Sequence, residues 1–233
     1  MSGRVGSTTT GIIADGLVFN MDAANRASYV PNATSSYNTV DLSISGSFIN
    51  DPTYIAPPTS ASCWNFDGVD DCIGCGNDSS LQITGNVTVS SWFKTTNSGD
   101  QLTIAGKGYY GSLFAYQTFR RTNNQVAIML KDDSGYPFAT TSTSVTDGNW
   151  HSVIGVKNGT DLRIYLDGVD EGNATCGTVT NDTSEPFSIG ADNINGSIAS
   201  EMVGDIASVQ VYNRALSANE VLHNYNALKG RFS

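Results

Sequence analysis

Residues 146–168 read Thr-Asp-Gly-Asn-Trp-His-Ser-Val-Ile-Gly-Val-Lys-Asn-Gly-Thr-Asp-Leu-Arg-Ile-Tyr-Leu-Asp-Gly. Two alternating apolar runs, Trp150 to Val156 and Leu162 to Leu166, flank a polar Lys157-Asn-Gly-Thr-Asp161 loop. Asp147-Gly148 and Asp167-Gly168 bracket the pair. Asp-Gly readily adopts the positive φ angles of a tight hairpin turn, so the stretch predicts successive antiparallel strands with one face buried.

The same grammar continues on both sides. Leu17–Met21 is the first strand expected, and Ala23–Pro58 reads as an irregular wrap broken by Pro31, Pro52, Pro57 and Pro58, with apolar islands at Val40–Ile44 and Phe48-Ile49. Ser62–Phe66 alternates, turns through Asp67-Gly-Val-Asp-Asp71, and resumes at Cys72-Ile73. Val87–Lys94 alternates well enough for a central strand. Gln101–Lys107, Ser112–Phe119, Gln125–Leu130, Tyr136–Thr140, Pro186–Gly190 and Met202–Tyr212 follow. In the last run Ile206 and Val209 break strict alternation, which predicts a β-bulge. Near the end, Ser217-Ala-Asn-Glu220 is a capping box opening one short helix over about 217–229, with Val221, Leu222, Tyr225 and Leu228 as its apolar stripe against the sandwich edge. The fold class is therefore an all-β antiparallel sandwich over residues 16–233, preceded by a polar, Gly/Thr-rich arm at 1–15 that is expected to be flexible.

Twenty-two acidic residues against twelve basic ones give a net charge of −10. Such a surface repels nucleic acid, and the one adjacent basic pair, Arg120-Arg121, is too small to reverse that. No run approaches the roughly 20 apolar residues of a membrane span, so no membrane insertion is expected. The N-terminus lacks the apolar stretch of a secretory signal, so synthesis without export is expected unless a signal was already removed. Without that signal the Asn-x-Ser/Thr triplets are read as compositional chance. Cys63, Cys72, Cys75 and Cys176 are expected to be buried thiols, with a Cys63–Cys72 hairpin bridge as the alternative.

Placed in order, several segments resemble the laminin-G-like, concanavalin-A-like jelly-roll family. Gly16–Asn25 is similar to its opening strand, and Trp64-Asn-Phe-Asp-Gly-Val-Asp-Asp71 to its Phe-Asp-Gly-x-x-Asp hairpin. Asp147-Gly-x-Trp-His151 with Tyr165-x-Asp-Gly168 resembles its central hairpin, and Val211-Tyr-Asn-Arg-Ala-Leu-Ser217 its closing strand-to-helix unit. The opening Asp22-Ala-Ala-Asn25 and closing Asn224–Phe232 also resemble tailed-bacteriophage virion proteins carrying this domain. That likeness implies a capsid-exterior decoration protein, or a tail-appendage adhesin. Its partners would be other virion proteins and further copies of itself, made in the host cytoplasm and placed on the virion surface.

The family includes glucanases, so catalysis needs weighing. Glycoside hydrolysis normally requires two carboxylates about 5–9.5 Å apart. The chain has only Glu171, Glu185, Glu201 and Glu220, none of which opens a Glu-x-Asp-x-x-Glu motif. His151 and His223 lie near no Gly-x-Ser-x-Gly elbow, so no enzyme is expected. Binding has better material. Asp70-Asp71 and Asp132-Asp133 are candidate calcium ligands, because calcium takes several carboxylate and carbonyl oxygens on loops. Tyr109, Tyr110 and Tyr136 are candidate glycan contacts, because exposed rings can stack on sugars.

Overall fold

In a computed structural model describing residues 11–57, 61–109, 114–179, 184–194 and 197–232, the bracketed stretch folds as His151–Asn158 against Asp161–Leu166. Asn158 pairs with Asp161 across a two-residue turn, and Leu166 pairs with Val169 across Asp167-Gly168. Asp167 and Gly168 have φ of 51° and 82°, the doubly positive turn that matches strand twist.

Among the described residues all pairings are antiparallel, and two large sheets stack beside a two-stranded ribbon of Asp192–Ile194 and Ser197–Ala199. One runs Val169–Thr175, Asp161–Leu166, His151–Asn158, Val87–Lys94, Val203–Tyr212, Cys63–Asp67, Thr53–Ile55, with Leu17–Asp22 also paired to Val203–Tyr212. The other runs Phe138–Thr140, Val126–Leu130, Phe114–Arg120, Leu102–Gly108, Phe187–Ile189, Cys72–Gly74, Ser45–Ile49, Ser35–Tyr37. Phe19, Trp64, Phe93, Ile104, Tyr116, Ile128, Val153, Ile164, Phe187 and Val209 fill the space between them. Gly155 admits this packing, since a Cβ there would stand 2.6 Å from Ile128. The bulge expected from Ile206 and Val209 is present as a register shift between Ile206 and Ser208.

Three expectations need correction. The wrap Ala23–Pro58 is more regular than read, holding three short strands, Ser35–Tyr37, Ser45–Ile49 and Thr53–Ile55, and of its apolar islands Val40 and Leu42 are exposed outside them. The helix, Ala218–Leu228, keeps its Ser217–Glu220 capping box but lies on the outer face of the first sheet, not at an edge. Its Val221 is buried beside Ile154, Val156, Tyr165 and Tyr212, whereas Leu222 points to solvent and Asn224 is buried. Phe232 then stacks on Trp92 at 4.1 Å, closing that face.

Third, the Cys63–Cys72 bridge does not form. Cys63 packs with Trp92 and Ala207 outside the first sheet, while Cys72 belongs to the second. All four cysteines are buried thiols, and burial with the nearby Asp192 charge pushes Cys72 up to about 12. Residues 11–15, read with the arm, are tied to the helix: the Ile13 amide donates to Asn224 Oδ1 at 2.8 Å, and Tyr212 donates its hydroxyl to the Ile13 carbonyl. Residues 1–10 of that arm lie outside the described residues.

Candidate functional site

With the helix on the first sheet, the solvent side of the second sheet is the one broad surface where, among the described residues, no helix is packed. Alternation decides what it presents. Phe119 pairs with Ala127, which pairs with Thr140; Gln117 pairs with Met129, which pairs with Phe138. Each of these rows projects away from the core, because Tyr116, Ile128 and Leu130 on the same strands point inward. Phe119 and Met129 form a separate apolar cluster with Phe114 and Ala127, and Tyr136 packs against it.

A cleft of about 230 Å³ opens here, lined by Gln101, Phe119, Arg121, Met129, Tyr136 and Phe138. Phe138 is 42% exposed, with Arg121 Cζ 4.7 Å from its ring centroid. Lys131 Nζ stands 4.8 Å from the Tyr136 ring. Next to Phe119 the face turns polar: Gln117 donates to Thr103 Oγ1 at 2.9 Å and to Asp192 Oδ1, which also accepts from Thr103. Burial raises the Asp192 carboxyl to about 6, against the hydrogen bonds from Thr103, Gln117 and Ser200 and with a smaller push from Glu201.

Of the three tyrosines singled out by sequence, Tyr136 lines this cleft, half-buried Tyr109 ends the Leu102–Gly108 strand without lining it, and Tyr110 lies outside the described residues. Phe119, Arg121, Met129 and Phe138 were not anticipated. They come from three neighbouring strands, with Arg121 just past the end of the strand that carries Phe119, and only the register of those strands brings them together. A second hollow, lined by Tyr29, Phe48, Asp51 and Tyr54 at the sandwich rim, is less suited to stacking. There Tyr29 is buried, its ring already against Phe48 at 5.6 Å and Tyr54 at 4.8 Å.

The two acidic pairs part company. Asp70 and Asp71 gather with Asp67, one carboxylate oxygen of each lying within 4.8 Å of the others. Asp71 Oδ2 accepts from the Asp67 amide and Asp67 Oδ1 from the Val69 amide, which shapes the turn and leaves further oxygens on both groups. Burial raises the Asp71 pKa, and the charges of Asp67, Asp70 and Asp51 add to it. Hard oxygen donors crowded at one turn suit calcium, so this is the candidate cation site. Asp132 is different. Its Oδ1 accepts from the Ser134 and Gly135 amides and the Ser134 hydroxyl, and its Oδ2 from the Gly177 amide at 2.6 Å. Burial works against the charge, yet these bonds hold the pKa below the usual carboxylate range. Asp132 is a loop staple, and Asp133 beside it is exposed.

Other acids are occupied structurally. Glu171 accepts from the amides and hydroxyls of Ser142 and Thr143. Glu220 caps the helix and grips Arg214, whose hydrogen bond draws its pKa down to about 2. His151 sits between Asp167 at 2.8 Å and Asp147 at 3.1 Å, pinning two turns. His223 meets the Gly11 carbonyl at 2.9 Å.

A family model described as the concanavalin A-like lectin/glucanases superfamily matches residues 67–222. No curated protein matches in sequence. Among solved structures, Trypanosoma rangeli sialidase in complex with sialic acid superposes with a TM-score of 0.68 at 15% identity, over 94% of this chain and 34% of that one. The botulinum neurotoxin serotype D binding domain gives 0.65 at 14% identity, over 91% and 52%. A further structure of the serotype D ligand binding domain, in complex with N-acetylneuraminic acid, gives 0.62 at 15%, over 91% and 51%. The chain spans a third to a half of these proteins, and at such identities the likeness is one of fold.

Proposed function

Since this chain belongs to the concanavalin A-like lectin/glucanase superfamily, we propose that it is a non-enzymatic glycan-recognition module, displayed on the exterior of a virion as a decoration or appendage component. The observation that carries the binding half is the cleft on the uncovered second sheet, where Tyr136 and Phe138 offer rings and Gln101 and Arg121 offer donors. Sugar sites use this mixture: an apolar ring face for stacking, and a few polar groups that fix orientation. The sialic acid complexes of two proteins sharing the fold agree with a sugar ligand, although the ligand there belongs to a larger protein. Virion display rests on the resemblance of residues 22–25 and 224–232 to phage structural proteins.

Hydrolysis has one observation in its favour, a carboxyl on the same face with a pKa near 6. Asp192 is only 1% exposed and two donors hold its Oδ1, so it has no path to a glycosidic oxygen. The binding test is a glycan array with the full chain. Tyr136→Ala with Phe138→Ala is expected to weaken any positive signal at least about tenfold, equivalent to about 1.4 kcal/mol. An unchanged signal removes the cleft from the account. Immunogold labelling of purified particles tests display; absence from particles refutes it.

A further inference from the structure

Arg121 gives the cleft a preference among sugars. It follows Phe119 by two residues, and its guanidinium lies over the Phe138 ring. A guanidinium resting on a ring keeps its in-plane N–H groups at its edge, the geometry that meets a carboxylate through two parallel hydrogen bonds. Among the described residues no carboxylate lies within ion-pair distance of Arg121. Lys94, Arg163, Arg214 and Arg231, by contrast, each hold an Asp or Glu. Lys131 adds a second positive charge beside Tyr136. On a chain of net charge −10, a cleft lined by Arg121 gives anions a positive group that the surrounding acidic surface does not offer.

A neutral sugar gives the desolvated Arg121 only hydroxyl acceptors, and those bonds count for less than charge-assisted ones. A carboxylate accepts two charge-assisted hydrogen bonds at once. Building on the glycan reading of this same cleft, we infer that its ligand is an acidic glycan, its carboxylate on Arg121 and its ring along Tyr136 and Phe138.

The test presents the full chain with oligosaccharides of uronic and nonulosonic acids, each beside its methyl ester, which removes the charge and keeps the ring. The acid form is expected to bind at least about tenfold more tightly than its ester, by an advantage that shrinks as salt rises. Arg121→Gln should erase that advantage, bringing the acid and ester of each pair to the same affinity. Arg121→Lys, which keeps the charge without the planar fork, should retain part of it and serves if the Gln variant does not fold. Equal binding of acid and ester by the wild type, or a full advantage in a folded Arg121→Gln, overturns the acidic assignment and leaves a neutral-sugar cleft. Failure of the folded protein to bind any acid or ester overturns the glycan reading and this inference with it.

Discussion

Asp192 is the residue whose ionisation most directly opposes the fold. Buried behind the open face, its carboxyl is raised from 3.8 to about 6, so the folded chain holds this proton more tightly than the unfolded chain does. The stability linked to it is complete below the unfolded value and is lost as pH rises through the folded one. About two pKa units at 1.36 kcal/mol each put the loss on the order of 3 kcal/mol. Asn at this position still accepts from Thr103 and Gln117 and cannot ionise. Asp192→Asn should therefore melt higher than the wild type at neutral pH and lose the decline between about pH 4 and 7; parallel melting profiles would contradict this. His151 titrates with the same sign. Its burial favours the neutral ring, but Asp167 and Asp147 outweigh that and raise its pKa, so its contribution fades as pH climbs through that raised value.

The Asp67–Asp71 turn is where one element carries a separable property. Three carboxylates lie together there; burial raises the Asp71 pKa and the neighbouring charges add to it, and a bound cation would relieve that added repulsion. Millimolar calcium should raise Tm, and Asp70→Asn, which changes an exposed member of the group, should reduce the shift; a Tm indifferent to calcium would dismiss the site. This turn also marks how far local sequence carries. Asp70 and Asp71 were visible as neighbours, and Asp67 joins them because the chain turns tightly through Asp67–Asp71 as it crosses from the first sheet to the second. The hairpin announced by Asp167-Gly168 and the alternating strands were legible, since both signals act within a few residues, but the expected Asp67-Gly68 hairpin is a crossing between the two sheets. The strand Val169–Thr175 was not: exposed at the sheet edge, it buries little, and Asp, Glu, Gly and Asn replace the alternating pattern. Asp132 read as a ligand because acidity is visible in sequence and the amides that claim it are not.

Over the whole molecule, the proposed glycan recognition rests on an asymmetry between the two sheets. The capping-box helix, the segment around Ile13 and the ring of Phe232 cover one outer face. The other keeps the cleft of Phe119, Arg121, Met129, Tyr136 and Phe138. The sandwich was readable from the sequence, but the proposed binding face was not, because it depends on which sheet the helix chooses and on register among three strands. Hydrogen–deuterium exchange with and without a saturating acidic oligosaccharide tests this division most directly. Protection is expected in peptides covering Gln101, Phe119–Arg121, Met129 and Tyr136–Phe138, with the helix peptides unchanged. Protection confined to the helix side, or to the rim hollow around Tyr29 and Tyr54, would contradict the account.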